Sequence, residues 1–397
     1  MDTLTPQAIE EHMSELVEAC RQDLHDSAGK GGPVPTSIRT LDAVWAEAGL
    51  AGRGGKRLRA LLLWDSYRAA STREGKTDQT DQATFDLACA LEVYQTSALV
   101  HDDIIDNSPL RRGRPSAHRV LSNLTDPGSK PDQATSAERP APGTATPRGQ
   151  GLGILLGDLL ATASTDMASK AASALPSCGE ILKTFLDMQT AVETGQVLDM
   201  GMEVMPLDHP DQLEREALRT MGWKTASYTA MAPLALGLMA GGIDPDQSRK
   251  LSYDLGLDLG LLFQLRDDLM DVVGRSDQTG KPQGGDILEG KRTVLLADTL
   301  SLVDPADAAR LRETYAAPHR TPDQVDWTRH LMETSGAVKK SRRRLDRLSQ
   351  SVQAGISTLR QELSMNEEQG SIIEEACRRF MPDAPAPGYH GHGFDEQ

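Results

Sequence analysis

The sequence predicts an all-α fold, a bundle-like domain of about a dozen helices. Hydrophobic residues make up 38% of the chain and aromatic residues only 4%, so Ala, Leu and Met carry most of the apolar content, and this mix favours helix over sheet. No run of alternating apolar and polar residues is long enough to build a sheet, and no fixed-period repeat occurs. We therefore expect a single domain over residues 1–397.

Apolar residues recur at helical spacing in the first quarter of the chain. An amphipathic helix is expected over residues 5–25, a second from Thr36 to about Ala48, and an apolar helix over 60–70 after a glycine-rich break. A long helix should follow over 85–106, where the pattern repeats every three or four residues.

The second half shows the same spacing. The longest uncharged run, 226–243, contains Ser, Thr, Tyr, Pro and three glycines, which indicates a buried core helix rather than a membrane span. A further helix should contain the ladder Leu257, Gly260, Gln264, Asp267 and Asp271.

Two segments should lack regular structure. Residues 122–150 are rich in Pro, Gly, Ser and Thr with almost no large apolar side chain, which predicts a disordered or mobile insert. Residues 382–397 should form a flexible tail.

The charge and the cysteines restrict the class of protein. A formal net charge of −16 argues against nucleic acid or an anionic membrane as the main partner. The four cysteines are widely scattered, without metal-ligand or redox-motif spacing. The first residues do not resemble a signal peptide. We expect a cytoplasmic protein without a membrane span.

Two aspartate clusters with the same internal spacing lie in apolar, helix-like stretches. Residues four apart on a helix share a face, about 5–6 Å apart, so Asp102 lies beside Asp106, and Asp267 beside Asp271. Such carboxylates are costly among apolar neighbours unless a cation neutralises them. Mg²⁺ suits them, because it prefers carboxylate oxygens and usually brings a phosphate ligand. The first cluster is Asp102, Asp103 and Asp106; the second is Asp267, Asp268 and Asp271.

Several cations accompany these clusters. A glycine-led helix start favours an anion through its backbone N–H groups, and Arg can hold phosphate with a bidentate fork. A substrate with a diphosphate head and an apolar body would match the carboxylates, the cations and the apolar interior together. The cations are Lys56, Arg57 and Arg59, then Arg111 and Arg112, Lys224, Lys281 and Lys291.

Seven motifs, in order, resemble the trans-isoprenyl diphosphate synthase family, also called polyprenyl synthetases. The resemblance runs from about residue 45 to 300 and implies one polyprenyl synthetase domain and commonly a homodimer. The motifs are GGKRLR (54–59), LVHDDIID (99–106) with SPLRRGRPSAH (108–118), GDLL (157–160), TGQVLD (194–199), KTASYT (224–229), FQLRDDLMD (263–271) and GKPQGGDILEGKRT (280–293).

The resemblance implies head-to-tail condensation of isopentenyl diphosphate with an allylic diphosphate. It implies three Mg²⁺ ions, with Asp102, Asp106 and Asp267 as direct ligands. Asp103, Asp268 and Asp271 would be ligands or their partners. The allylic diphosphate would bind the metals and the cations Arg111, Lys224, Lys281 and, as a weaker candidate, Lys291.

The resemblance also assigns the second substrate and the reacting centre. Isopentenyl diphosphate would contact Lys56, Arg59, Gln95 and Arg112; many relatives have His at the position of Gln95, but Gln can also donate to phosphate. Thr225 and Gln264 would face the developing carbocation.

Product length depends on the helix that carries Asp102. Ser97 and Ala98 are small and lie about one turn before Asp102, which leaves the space below the metals open, and Tyr94 would form a deeper floor. This favours geranylgeranyl diphosphate, with farnesyl or longer products as alternatives.

Other interpretations remain open. A class I terpene cyclase would share the fold and first motif, and a non-catalytic partner subunit would typically lose one aspartate motif. Arg57 is interpreted as part of a solvated helix start, and the basic run 339–347 as a solvated helix face.

Overall fold

The computed structural model describes residues 4–27, 35–71, 77–124, 145–274 and 283–381. These residues confirm the all-α fold. In chain order the helices are α1 (Pro6–Ser27), α2 (Pro35–Ala51), α3 (Leu58–Ala70), α4 (Asp78–Ile105), α5 (Ala117–Ser122), α6 (Pro147–Ala172), α7 (Cys178–Met202), α8 (Pro210–Met221), a π-helix (Gly222–Met231), α9 (Ala232–Ala240), α10 (Pro245–Val273), α11 (Gly285–Glu289), α12 (Val294–Leu302), α13 (Pro305–Ala316), α14 (Pro322–Thr334), α15 (Ala337–Glu362) and α16 (Glu367–Arg378).

Capping residues fix the starts of the two helices that carry the aspartate clusters. The Thr77 side chain accepts a hydrogen bond from the Thr80 backbone at the start of α4, and the Thr80 side chain returns one. Asp244 accepts from the Asp246 backbone at the start of α10, where Pro245 occupies the first helical position. Each of these long helices is thus capped at its amino end, and its aspartate cluster lies at the opposite, carboxyl end.

Two hydrophobic clusters support these helices. The first packs α4 against α6 and includes the fully buried Leu87, Leu91 and Leu156. The second packs α10 against α12 and α15 and includes Leu259 and Leu296. Burying each such side chain contributes about 1.5–3 kcal/mol, so each aspartate cluster is attached to a well-packed support.

A π-helix interrupts the run 210–240, which is otherwise α-helical. The prediction of a buried helix over 226–243 is confirmed as far as Ala240. Wide π turns are rare and often lie at functional sites. Here the π turns contain the motif 224–229, including Lys224.

Glycines bring neighbouring helices to the π-helix at backbone distance. A Cβ atom at Gly195 of α7 would lie 2.2 Å from the Lys224 backbone nitrogen, and one at Gly260 of α10 would lie 2.4 Å from Cα of Ala226. Both distances are too short for any side chain. The glycines therefore set how closely α7 and α10 approach Lys224.

A small hairpin follows the first cluster. Its strands, β1 (Leu110–Arg111) and β2 (Arg114–Pro115), are antiparallel. Arg112 and Gly113 have φ of +51° and +76°, as a two-residue type I′ turn requires. Strands of two residues are too short to leave an alternating pattern, which is why the sequence did not predict them.

The predicted bounds of the insert, 122 and 150, are both wrong. Ser122 belongs to α5, and α6 begins at Pro147. The Thr146 side chain accepts from the Gly149 backbone at 3.1 Å, and Pro at the first helical position is a helix-start signal. Residues 125–144 of the insert, and the predicted tail 382–397, lie outside the described residues.

Membrane spans were searched among the same described residues. None of those helices is both long enough and apolar enough to cross a bilayer.

Candidate active site

The first aspartate cluster lies at the carboxyl end of α4. The Asp106 backbone N–H donates to the Asp102 carbonyl at 2.9 Å and ends the helix, so the negative end of the helix dipole adds to the three carboxylates. Asp103 is 2% exposed and accepts from Nε of Arg111 at 2.9 Å. Arg111 therefore neutralises Asp103 and also lies 3.7 Å from Asp102, whereas Asp106 pairs with Lys291.

Asp106 is held in an unfavourable environment for a charge. Its pKa is raised from 3.8 to about 6, first because burial disfavours the carboxylate and second because Asp102 repels it. Lys291 opposes this shift. A bound cation would remove the penalty by pairing with the ionised form.

The second cluster lies in the last two turns of α10. Asp267 is exposed, whereas Asp268 is 7% exposed and accepts from Nε2 of Gln264 at 2.7 Å. Burial, with repulsion from Asp286, raises the pKa of Asp268 well above its ordinary value. Asp271 accepts from the backbone N–H of Asp286 at 3.1 Å.

Two lysines connect these carboxylates. Lys224 Nζ lies 3.2 Å from Asp102 and 2.6 Å from Asp199. Burial lowers the pKa of Lys224, but the two carboxylates outweigh it and the net shift is upward. Asp199 is the last residue of the motif TGQVLD, and its contact with Lys224 places it beside the first cluster.

Lys291 links the first cluster to the second. Its Nζ lies 3.7 Å from Asp106, 3.5 Å from Asp286 and 2.7 Å from Glu289. Since the Asp286 backbone bonds to Asp271, a chain of contacts runs from one cluster to the other. The pKa of Asp286 is raised to about 6, chiefly by burial.

The donor set fits Mg²⁺ that is bound together with a phosphate ligand. All six cluster residues offer hard carboxylate oxygens, as Mg²⁺ prefers. Within the described residues, no group of three or more His, Cys, Asp or Glu side chains surrounds one point.

A small cleft of about 110 Å³ lies beside Lys224 and Lys291. Thr225 and Gln264 line it, and the Thr225 hydroxyl donates to Oε1 of Gln264 at 3.2 Å. Gln264 in turn bonds to Asp268. The amide is thus oriented by a cluster aspartate toward the space next to the lysines.

A larger cleft, the cationic cleft, has a volume of about 590 Å³. It brings together four cations or donors that the sequence grouped as one binding site, and it also contains Asp267, Asp271 and Asp286 of the neighbouring region. Asp286 lines both clefts, so the two spaces adjoin. The four grouped residues are Lys56, Arg59, Gln95 and Arg112.

Their side chains are held by specific contacts. Arg112 donates to the Arg53 and Gly54 carbonyls at 2.7 and 2.8 Å. Arg59 donates to the Thr229 hydroxyl at 2.8 Å. With its amide oriented to satisfy both ends, Gln95 accepts from Arg59 at 2.9 Å. Lys56 is exposed in the cleft.

Arg57 is not solvated, contrary to the sequence interpretation. It is 3% exposed and lies 3.3 Å from Glu92 and 3.2 Å from Glu10. Its φ of +52° just before α3 turns the side chain inward rather than along the helix surface. Helical spacing could not show this, because Arg57 precedes the helix.

The basic run 339–347 is also partly buried. Arg344 is 8% exposed and donates to Asp298 at 2.7 Å, and Lys340 lies 2.7 Å from the same carboxylate. The interpretation as a solvated face is wrong for these two residues, because the buried Asp298 of α12 draws both cations inward.

The three residues expected to set product length lie along α4. The Tyr94 hydroxyl donates to the Gln189 carbonyl at 3.2 Å and lies 3.3 Å from Glu193. The Ser97 hydroxyl donates to the Gly157 carbonyl at 2.7 Å. Ala98 is partly buried. These residues line neither of the two clefts described above.

Some site residues escaped the sequence analysis. Arg266 and Arg379 line the cationic cleft; Arg266 donates to the Met381 carbonyl at 3.0 Å, and Arg379 to Asp65 at 2.6 Å. No local pattern marks a contact between the two ends of the chain. Lys281, by contrast, was predicted but lies outside the described residues.

The chain is similar in sequence to a known protein family and to several of its members. The family model described as polyprenyl synthetase matches residues 47–332. A short chain isoprenyl diphosphate synthase of Methanothermobacter thermautotrophicus is 32% identical over 264 residues, which are 65% of this chain and 67% of the relative. A geranylgeranyl diphosphate synthase of Sulfolobus acidocaldarius is 33% identical over 253 residues, 63% of this chain and 64% of the relative. The matches thus span about two thirds of these relatives.

Longer matches also occur. A geranylfarnesyl diphosphate synthase of Natronomonas pharaonis is 28% identical over 353 residues, 82% of this chain and 91% of the relative. The crystal structure of geranylgeranyl pyrophosphate synthase from Corynebacterium glutamicum, complexed with isoprenyl diphosphate and magnesium, superposes with a TM-score of 0.75 at 28% identity. It covers 96% of this chain and 98% of that chain.

Proposed function

This chain belongs to the polyprenyl synthetase family and is a prenyltransferase, and from that premise we propose that it condenses isopentenyl diphosphate with an allylic diphosphate. The proposed reaction is head-to-tail (1′-4), gives a trans-polyprenyl diphosphate and releases diphosphate. The observation that carries it is the adjacency of two charged clefts. The small cleft contains Lys224 and Lys291 beside Asp268. The cationic cleft contains several arginines together with Asp267 and Asp271 of the second cluster, and Asp286 lines both clefts.

Mg²⁺ would be held by the two clusters. We propose three ions, with Asp102, Asp106 and Asp267 as direct ligands and Asp103, Asp268 and Asp271 as ligands or their partners. When bound, Mg²⁺ supplies positive charge that stabilises the leaving diphosphate. The raised pKa of Asp106 supports this, because a buried carboxylate with too little positive charge nearby favours a cation.

The chain's own cations would share this work on the allylic diphosphate. Lys224 and Lys291 lie between the carboxylates and carry fixed positive charge, and Arg111 and Lys281 would contact the same group. Charge already in place as the C–O bond breaks costs no reorganisation during the reaction. Thr225 and Gln264 would face the carbocation with their dipoles.

Isopentenyl diphosphate would occupy the cationic cleft. Lys56, Arg59, Gln95 and Arg112 line one space there, and Arg can bind phosphate oxygens in bidentate fashion. The double bond of isopentenyl diphosphate would attack the allylic carbocation. The released diphosphate would take the proton that the condensation product loses, so no protein base is needed. The cavity must exclude water, which would convert the cation into an alcohol.

We propose geranylgeranyl diphosphate as the product. The support for this length is the small size of Ser97 and Ala98, about one turn before Asp102 on α4, with the larger Tyr94 a further turn away. The names of the relatives range from geranylgeranyl to geranylfarnesyl and octaprenyl diphosphate synthases, so product length is the part of the proposal most in need of measurement.

We also propose a cytoplasmic homodimer. Helices α6 and α7 carry large apolar side chains that are exposed in the single chain, among them Leu155 at 56% and Val197 at 70%. Exposed apolar surface of this kind is typical of an interface.

Incubation with Mg²⁺, labelled isopentenyl diphosphate and separate allylic primers of five, ten and fifteen carbons tests the whole proposal. Chromatography of the products gives reaction class, primer and length together. Label incorporated into prenyl diphosphates supports condensation. Cyclic hydrocarbons without incorporation would indicate a cyclase, and no turnover with any primer would indicate a non-catalytic subunit.

A further inference from the structure

The short helix α11 connects the second aspartate cluster to Lys291. At its start, the Asp286 backbone N–H donates to the Asp271 carboxylate at 3.1 Å. At its end, Gly290 has φ +81° and the Lys291 backbone N–H donates to the Asp286 carbonyl at 2.9 Å. The position of α11 therefore decides where the Lys291 side chain leaves the backbone.

Arg320, in the connection between α13 and α14, caps this helix. The last carbonyl groups of a helix have no partner within it. Nε of Arg320 donates to the Leu288 carbonyl at 2.8 Å, and Nη2 to the Glu289 carbonyl at 2.9 Å. Nη1 donates to Ala317 of the neighbouring α13 end at 3.0 Å. The guanidinium thus ties the negative end of α11 to the α13–α14 pair.

The fit between α11 and this helix pair is close at both ends. A Cβ atom at Gly290 would lie 2.5 Å from Nη2 of Arg320, and one at Gly284 would lie 2.6 Å from Cγ1 of Val325 in α14. Only glycine permits these approaches with positive φ at both positions. The helix therefore has little freedom to shift while Arg320 is in place.

We propose that Arg320 is a positioning residue for Lys291 and thereby sets the affinity of the site for magnesium-bound diphosphate. The inference rests on the proposed function, in which Lys291 contacts the allylic diphosphate. A misplacement of about 1 Å can cost roughly a hundredfold in rate. The effect should fall mainly on the allylic side, because the cations of the cationic cleft are carried by other elements, among them α3 and the hairpin, and α11 contributes only Asp286 to that cleft.

The test compares Arg320→Ala with Arg320→Lys and with Arg310→Ala. Arg310 belongs to the same helix pair, and its guanidinium stacks 3.9 Å from the Trp327 ring centre, so it is a matched control. Steady-state kinetics give KM for each substrate, and calorimetry gives the affinity for Mg²⁺ with inorganic diphosphate. Circular dichroism verifies folding.

In Arg320→Ala, diphosphate affinity and kcat should fall roughly tenfold, with KM for isopentenyl diphosphate unchanged. Arg320→Lys should recover part of the loss, because an ammonium can reach one carbonyl, and Arg310→Ala should match the wild type. Normal diphosphate affinity in folded Arg320→Ala would overturn the inference, as would equal losses for both substrates.

A second variant covers the case in which Arg320→Ala does not fold. Gly290→Ala keeps the arginine but introduces a Cβ where its guanidinium lies, and it should show the same loss on the allylic side; normal diphosphate affinity in it would overturn the inference. If the wild type itself fails to bind Mg²⁺ with diphosphate, the proposed function fails and the inference falls with it.

Discussion

The ammonium of Lys291 lies 3.7 Å from Asp106, the residue of the first aspartate cluster that directly follows α4. It also lies 3.5 Å from Asp286, whose backbone bonds to Asp271. One lysine therefore joins the two clusters and supplies part of the positive charge that six carboxylates need.

Removing one proposed metal ligand from either cluster should abolish most activity. Asp102→Ala and Asp267→Ala should each lower kcat by roughly a hundredfold or more, since charge stabilisation of the leaving group is lost, and both variants should keep a wild-type circular dichroism spectrum. Asp254→Ala, on the exposed face of α10, should retain full activity. Near-normal turnover in both cluster variants would refute the metal assignment.

The raised pKa of Asp106 predicts a specific pH dependence. Its value of about 6, against an ordinary 3.8, means that the folded metal-free protein holds a proton that the unfolded chain has lost between about pH 4 and 6. This contribution to stability is complete below pH 4 and disappears as the pH rises through 6. Mg²⁺ binding must expel that proton.

Two measurements check this pH dependence. The Mg²⁺ concentration for half-maximal activity should rise as the pH falls below 6. At pH 7, Asp106→Asn without metal should melt no lower than the wild type, since it removes a destabilising charge, while its activity falls. A marked drop in melting temperature for Asp106→Asn would show that the carboxylate stabilises the fold.

Arg112 should affect one substrate only. Losing a hydrogen bond to a charged group costs about 1.5–3 kcal/mol, so Arg112→Gln should raise KM for isopentenyl diphosphate roughly tenfold to a hundredfold. KM for the allylic substrate should change little. Arg114→Gln is the control from the same hairpin, because Arg114 donates to the Leu50 carbonyl at 2.9 Å. Equal effects of both variants would point to the hairpin fold instead.

Tyr94 should limit product length through its ring. Tyr94→Ala should add at least one five-carbon unit to the main product, and Tyr94→Phe, which keeps the ring but loses the bonds to Gln189 and Glu193, should not. Chromatography of the chain lengths distinguishes the two. An unchanged distribution in Tyr94→Ala would exclude Tyr94 as the floor.

The sequence predicted the charged residues at the centre of the site better than the arginines that surround it. Asp102, Asp267 and Lys224 stood out because charges in apolar helical stretches are rare and their spacing is regular. The prediction that Arg57 is solvated was wrong, because Arg57 has positive φ and precedes α3, so helical periodicity does not predict the direction of its side chain. Arg266 and Arg379 left no local signal, since their partners Met381 and Asp65 come from distant parts of the chain.

The sequence by itself determined that this protein is helical, that two carboxylate clusters lie on separate helices, and that cations accompany them. Local spacing and residue type suffice for these conclusions. Only the tertiary structure decided that Lys291 connects Asp106 to Asp286 and that Arg320 caps α11. Those contacts join residues far apart in the chain, and they depend on how closely glycines allow neighbouring helices to approach, which is a property of packing rather than of pattern.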